Sequence, residues 1–257
     1  MLGVAADGDG LGPSLLQEVG EDRKQSHVAL EILIVFRLDD GDPTAAFPCG
    51  PSQSVKRIDE HTAEVTVRAV RPDAAEARNN DKPDASDLPT EADRKPNNFI
   101  QSDDPLIVAQ AKEAAGGETD PWKVATALEA YVHRTMAIKG FSQAFATASE
   151  VARNGEGDCK GHAVYLAALA RARKIPARVA VGLVYLPDLQ AFGGHMWTEV
   201  YIAGRWIGLD GTLAKGGIGG GHLTLAHSSL AGAAAYSFVF PAIQVLGGLK
   251  VEVLDWQ

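Results

Sequence analysis

Between Asp158 and Pro176 lies the segment whose place in a fold is hardest to vary. Ala163, Leu166, Ala167 and Ala170 recur at helical spacing, Gly157-Asp158 stands before the start, and Lys174 and Pro176 mark the end. A helix patterned this way buries its apolar face. Cys159 falls in its first turn, where unpaired backbone N–H groups favour negative charge by about 0.3–1 kcal/mol. After the helix, residues 178–185 read as a strand, 187–194 as a loop, and 195–202 and 205–209 as two further strands.

A first-turn cysteine is of interest because a thiol attacks only as its thiolate, and a free cysteine titrates near about 8.5. One pK unit is worth about 1.4 kcal/mol, so the helix end alone shifts the equilibrium by less than a unit. A cationic partner is required, and histidine can supply charge and then return a proton. The chain has seven histidines. His162 is a near neighbour on the same helix, but its ring lies beside the backbone rather than opposite the sulfur. His195 follows Gly193-Gly194 at the opening of a strand, from which its ring can project. If Ala203-Gly204 is the tip of a tight hairpin, Ile202 faces Arg205 and Trp197 faces Asp210. His195 and Asp210 then become diagonal neighbours on one surface, roughly 7–8 Å apart at the backbone. Asp210 can orient the imidazole and stabilise its protonated form. The plain readings of the same residues are an inert core thiol at 159 and a turn aspartate before Gly211.

Upstream, residues 27–38 read as a mostly buried strand stopped by turn chemistry at residues 39–43, and residues 61–70 alternate as a half-exposed strand should. Residues 72–96 are polar and Pro-rich, with Leu88 the only large aliphatic side chain, and read as a linker or solvated loop. Helices follow from Pro105 and from Asp120-Pro121, the second with Asp120 as N-cap and Trp122, Ala125, Leu128 and Val132 on one face. The organisation expected is a β-rich region with a polar linker over 1–96 and a catalytic domain over 97–257. The glycine-rich stretch 216–221 reads as a flexible loop, since no P-loop Lys-Ser/Thr follows it, and His222 and His227 as surface or loop histidines.

Composition narrows the function classes. The chain has 257 residues, 46% hydrophobic and 22% charged, enough for a sizeable core. A net charge of −9 leaves no basic stripe for phosphates or anionic lipid, so neither a nucleic-acid partner nor membrane insertion is expected. Two distant cysteines, Cys49 and Cys159, offer neither a disulfide framework nor a metal knuckle; no cofactor and no metal is called for. The first dozen residues lack a basic segment followed by an apolar one. As written the chain is soluble and carries no address; early entry into a long strand suggests an incomplete N-terminus, and only if an export signal was lost with it is an extracytoplasmic setting expected.

Taken together, Gly157-Asp158-Cys159, the stretch from Arg171 that ends in Ile175-Pro176-Ala177-Arg178, the run from Gly194 through His195 and Trp197 to Val200, and Leu209-Asp210-Gly211-Thr212 resemble the transglutaminase-like superfamily. The resemblance covers residue 97 to the C-terminus. It implies an α+β, papain-like core: a helix bearing the cysteine, packed on an antiparallel sheet that carries the His and Asp, here preceded by the small β-rich region. Carried over by motif, Cys159 is the nucleophile, His195 the base and Asp210 the orienting carboxylate. The activity implied is cysteine-dependent acyl transfer on amide or peptide carbonyls through a thioester. A bacterial-looking domain of this type points to hydrolysis, as a protease or amidase acting on a protein or peptide. Protein cross-linking, acyl transfer to an arylamine and a non-catalytic protein-binding module with the same fold are the alternatives. Two departures stand out. Many bacterial members carry an acidic residue two positions after the cysteine, where this chain has Gly161, and their common Asp-Pro pair is here Asp210-Gly211. Neither removes a reacting atom.

Overall fold

The computed structural model describes residues 17–18, 31–38, 42–72, 87–138, 145–187, 189, 191–232, 235, 237–240 and 249–256. In chain order the strands are β1 (Gln17–Glu18), β2 (Glu31–Leu38), β3 (Gln53–Arg57), β4 (Thr62–Arg68), β5 (Ala137–Ile138), β6 (Glu156–Gly157), β7 (Ala177–Leu186), β8 (Ala191–Ile202), β9 (Arg205–Leu209), β10 (His222–Ser228) and β11 (Leu249–Trp256). The helices are α1 (Pro43–Ala46), α2 (Pro105–Ala115), α3 (Pro121–Thr135), α4 (Ala148–Asn154) and α5 (Cys159–Ala172).

One antiparallel sheet is ordered β11-β2-β4-β3, so the last strand of the chain flanks the second. In β2 only alternate residues are buried: Ile32, Ile34, Phe36 and Leu38. The expectation of a mostly buried strand is corrected to a one-sided one, because the sheet has a single apolar partner. That partner is formed by Leu183, Tyr185, Phe192, Leu223 and Leu225 of the second sheet, which meet Ile32, Ile34, Phe36, Val65 and Val67 in one cluster. Residues 27–30 and 39–41 lie outside the described residues.

The second sheet runs β1-β8-β7-β10, with β9 also paired to β8. The β7–β8 ladder is regular from Ala177↔Val200 to Leu186↔Ala191. One register therefore places Tyr185, Phe192, Val181 and Met196 on a common face. The first sheet covers one end of that face. The helices cover the other, where Val179, Met196 and Val200 join α3 and α5 in the main core. Helix α5 is the centre of that core: residues 163–170 are all buried, and Thr198 Oγ1 donates to the Ala163 carbonyl at 2.8 Å. The helix-on-antiparallel-sheet arrangement and the N-terminal strands are thus present.

Several local expectations change. Strand β8 begins at Ala191, so Gly193 and Gly194 belong to the ladder and His195 is the fifth residue of the strand rather than its first. Residues 87–96 do not behave as a solvated linker. Arg178 donates to Asp87 at 2.5 and 3.1 Å, Trp206 Nε1 donates to the Asp87 carbonyl at 2.7 Å, and buried Arg171 donates to the Lys95 carbonyl at 2.8 Å. Polar contacts, which composition does not advertise, fasten this segment to the core; residues 73–86 lie outside the described residues. No helix among the described residues is long and apolar enough to cross a membrane.

Candidate active site

The helix tip at Cys159 is fixed from three sides. Gly155 caps α4 in the left-handed region, and β6 then pairs in parallel with β5, Ala137↔Glu156 and Ile138↔Gly157. Asp158, buried, caps α5 by accepting the Lys160 and Gly161 N–H groups at 3.0 and 3.3 Å, and it pairs with the Lys160 ammonium. Cys159 is therefore the first residue of the helix, and it is half-buried. Cys49 is exposed. A Cβ at Gly161 would stand 3.4 and 3.8 Å from the Val151 and Met136 side chains, so the position faces an apolar wall.

The hairpin register is the expected one. Ala203 and Gly204 both have positive φ, 53° and 81°, as a two-residue primed turn requires, and β8–β9 pairing runs from Ile202↔Arg205 to Thr198↔Leu209. Asp210, one residue beyond β9, comes opposite Trp197 and reaches His195: Nε2 donates to Asp210 Oδ2 at 2.8 Å, with both side chains buried. The edge of β8 that faces away from β7 pairs with β1 at Ala191–Phe192 and with β9 from Thr198 onward, leaving the stretch 193–197 open on that side among the described residues. Cys159 lies within hydrogen-bonding reach of His195.

Burial alone would lower the pKa of His195. The charge and hydrogen bond of Asp210 outweigh it, and with the hydrogen bond and charge of Cys159 they push His195 up to about 10. Asp210 is likewise opposed by burial, yet His195 and a second imidazole hold it well below the usual carboxylate range. The Nε2–H of His195 points at Asp210, so Nδ1 is the nitrogen left for the sulfur.

His162 does not compete for the role of base. Its Nδ1 donates to the Asp158 carbonyl at 2.8 Å, and burial lowers its pKa, so it is a poor imidazolium.

Two residues were missed by sequence reasoning. His222 is buried, not a surface or loop histidine: it opens β10, and its Nε2 donates to the same Asp210 Oδ2 at 3.0 Å. Its ring meets Trp197 edge to face at 5.3 Å. Gly182 makes the crowding possible, since a Cβ there would stand 1.9 Å from the Leu223 carbonyl oxygen and 2.9 Å from the Trp197 ring. His195, Asp210 and His222 each offer a donor atom within 4.8 Å of the others, as a metal site would. Contacts of 2.8 and 3.0 Å with both imidazoles aimed at one oxygen are, however, those of hydrogen bonds.

The second is Glu129 on α3, also buried. Its carboxylate accepts the backbone N–H of Asp210 at 2.8 Å, of Gly216 at 3.0 Å, and of Gly217 at 3.1 and 3.2 Å. The glycine stretch expected to be a flexible loop is thus pinned at its start. Burial drives Glu129 up to about 7, against the lowering effect of those amides. Gly211 lets α3 come this close: a Cβ there would stand 2.8 Å from the Val132 side chain. A cleft lined in part by Val124, Arg173, Ile175 and Tyr201 opens at the other end of α5 and touches none of these residues.

Residues 108–211 match the core model of the transglutaminase-like superfamily. No curated protein sequence matches the chain. Among solved structures, a candidate cysteine protease from Cytophaga hutchinsonii aligns with a TM-score of 0.53 at 16% identity, over 90% of this chain and 85% of that one. The periplasmic domain of TgpA from Pseudomonas aeruginosa aligns at 0.44 and 12%, over 76% and 94%.

Proposed function

From the premise that residues 108–211 belong to the transglutaminase-like superfamily, we propose that the protein is a cysteine-dependent acyl-transfer enzyme, hydrolysing amide or peptide bonds in protein or peptide substrates through Cys159, His195 and Asp210. The observation that carries the reading is the buried 2.8 Å contact between His195 Nε2 and Asp210 Oδ2, set beside the helix tip that presents Cys159.

Asp210 favours the imidazolium form of His195, whose Nδ1 takes the thiol proton of Cys159 as the sulfur attacks. The sulfur adds to the carbonyl carbon, and the electron pair of the C=O bond moves to oxygen. The Cys159 N–H, which has no partner within the helix because it is the first residue, would donate to that oxyanion. As the tetrahedral centre collapses, the C–N bond breaks, His195 gives its proton to the departing amine, and a thioester remains. Neutral His195 then takes a proton from water, whose oxygen attacks the thioester; the acid is released, and His195 returns the proton to the sulfur. An amine in place of water would give cross-linking by the same steps.

The test is an amide library incubated with the protein, quenched in acid and analysed by mass spectrometry at Cys159. An acyl adduct is expected on the wild type and its complete loss in Cys159→Ala. Adding a primary amine in excess separates the two outcomes: hydrolysis leaves the acid as the main product, and cross-linking gives the amide. Absence of any adduct across the library, together with Cys159 reacting with iodoacetamide no faster than exposed Cys49 at pH 6, would overturn the reading.

A further inference from the structure

The Asp210 carboxylate is hydrogen-bonded by one side chain that the reaction steps above do not use. His222 reaches the carboxylate from β10, a strand that pairs with β7 rather than with the Asp210-bearing hairpin. It lies beyond the glycine-rich loop and belongs to none of the motifs that carry Cys159, His195 and Asp210.

Asp210 accepts four hydrogen bonds from the described residues. Oδ1 takes the N–H of Thr212 at 2.8 Å and of Leu213 at 3.3 Å; Oδ2 takes His195 at 2.8 Å and His222 at 3.0 Å. An ionised carboxylate offers about four lone-pair sites and no hydrogen. Both Nε2 atoms must therefore be donors, and the His195 contact is one of two that share a single oxygen. The main-chain donors hold one end of the carboxylate, and the two imidazoles hold the other from different strands. The ring centroid of His222 lies 6.0 Å from that of His195, with both rings turned toward one Asp210 oxygen. The hydrogen bond of His222 to Asp210 Oδ2 is the contact through which it reaches the triad.

We propose that His222 is a positioning residue that locks the orientation of Asp210, and through it the tautomer and tilt of His195 that present Nδ1 to Cys159. The inference rests on the catalytic reading above. Without the His222 donor, one site on a buried carboxylate is left unsatisfied. The carboxylate can then turn about its Cβ–Cγ bond, and its proton affinity rises because its ionised form has lost a hydrogen bond. The charged groups that face it otherwise remain: His195 from β8, Glu129 from α3 and His162 from α5. None of the three can replace the lost donor. His195 is already bonded to Oδ2, Glu129 holds the Asp210 main chain, and the His162 Nδ1 is held by Asp158.

The experiment needs no knowledge of the substrate. In a Cys49→Ser background, the rate of Cys159 alkylation by iodoacetamide is measured from pH 4.5 to 9 for the parent, His222→Phe and His222→Gln. Phenylalanine keeps a ring of similar volume and removes the donor. Glutamine keeps an N–H donor at similar reach. Expected for His222→Phe is about a tenfold fall in rate at pH 5.5 with the acid limb moved to higher pH, the order set by losing one buried hydrogen bond; His222→Gln recovers most of both. A merely structural role would lower the melting temperature of both variants without separating their acid limbs. Should His222→Phe fold poorly, the parent–Gln comparison is complemented by His222→Asn, whose shorter amide falls short of Oδ2 and is expected to behave as the Phe variant. Rapid parent alkylation with superimposable profiles for every variant that folds would overturn the inference and leave the catalytic reading standing. A parent that alkylates only as a free thiol does would remove the catalytic reading first.

Discussion

The two ends of the molecule are built on different physics. The sheet β11-β2-β4-β3 is held by alternating aliphatic and aromatic side chains, and its buried polar link to the other sheet is Gln53, which donates to the Thr224 carbonyl at 3.0 Å and accepts the Thr224 N–H at 2.9 Å. At the Cys159 end, by contrast, ionisable groups are buried together: Asp210 between two imidazoles, and Glu129 beneath the loop that follows. The first arrangement is non-directional and tolerant of small shifts. The second fixes single atoms to within a few tenths of an ångström, at the expense of desolvating charge. Stability and chemistry are thereby separated in space, and substitutions at the two ends should show it.

The largest effect is expected from Asp210→Asn. A triad that loses its carboxylate falls by about 10⁴-fold in turnover, and acyl-adduct formation at Cys159 should drop by about 10³–10⁴-fold. The same variant has a pH signature in stability. His195 is raised above its ordinary 6.5, so its share is fully present below that value and is lost as pH rises through about 10. Asp210 is depressed below 3.8, so its share is present above that value and is lost as pH falls through its folded pKa. The stability gap between wild type and Asp210→Asn, measured by urea unfolding, should be widest between these two ordinary values and narrow on either side.

Ile34→Ala probes the opposite end. Ile34 is fully buried in the cluster between the sheets. Loss of about 2–5 kcal/mol in unfolding free energy is expected, independent of pH, with iodoacetamide reactivity of Cys159 unchanged wherever the protein is folded. A parallel loss of thiol reactivity would break the separation just described.

The smallest effect is a slope. Glu129 is raised from an ordinary 4.5 to about 7, so between these values the folded state keeps a proton that the unfolded state has released. Its contribution to stability therefore declines as pH rises through that window. Glu129→Gln, which cannot titrate, should flatten stability against pH there by up to one proton. An unchanged slope would show that the amides of Asp210, Gly216 and Gly217 compensate burial fully.

What the sequence disclosed follows the same division. The β8–β9 register was legible because a two-residue tip at Ala203-Gly204 leaves strand pairing no freedom, and the position of Asp210 followed. The Cys159 helix announced itself through a cap and an apolar stripe. His222 was hidden: β10 joins through a ladder that shifts between Thr224 and Ala226, and a glycine-rich loop separates it from Asp210. Neither feature has a period that can be counted. Glu129 did leave a trace, since it stands one turn after Ala125 and beside Leu128, on the apolar side of α3, where an acidic residue is out of place unless it has partners. The fastening of residues 87–96 through carbonyl oxygens and one carboxylate left none, because main-chain acceptors are the same in every sequence.

The pairing of β2 with β11 carries a temporal consequence. Trp256 lies across from Ile32, so one flank of the strand at the heart of the first sheet stays bare until residues 249–256 have been synthesised. Local elements such as the β8–β9 hairpin can close during synthesis, whereas this sheet must wait for its final partner. During that interval an apolar strand with an open flank is exposed to the pairing errors that nascent chains are prone to. Synthesis of β11, rather than emergence of Cys159, is thus the step that completes this sheet.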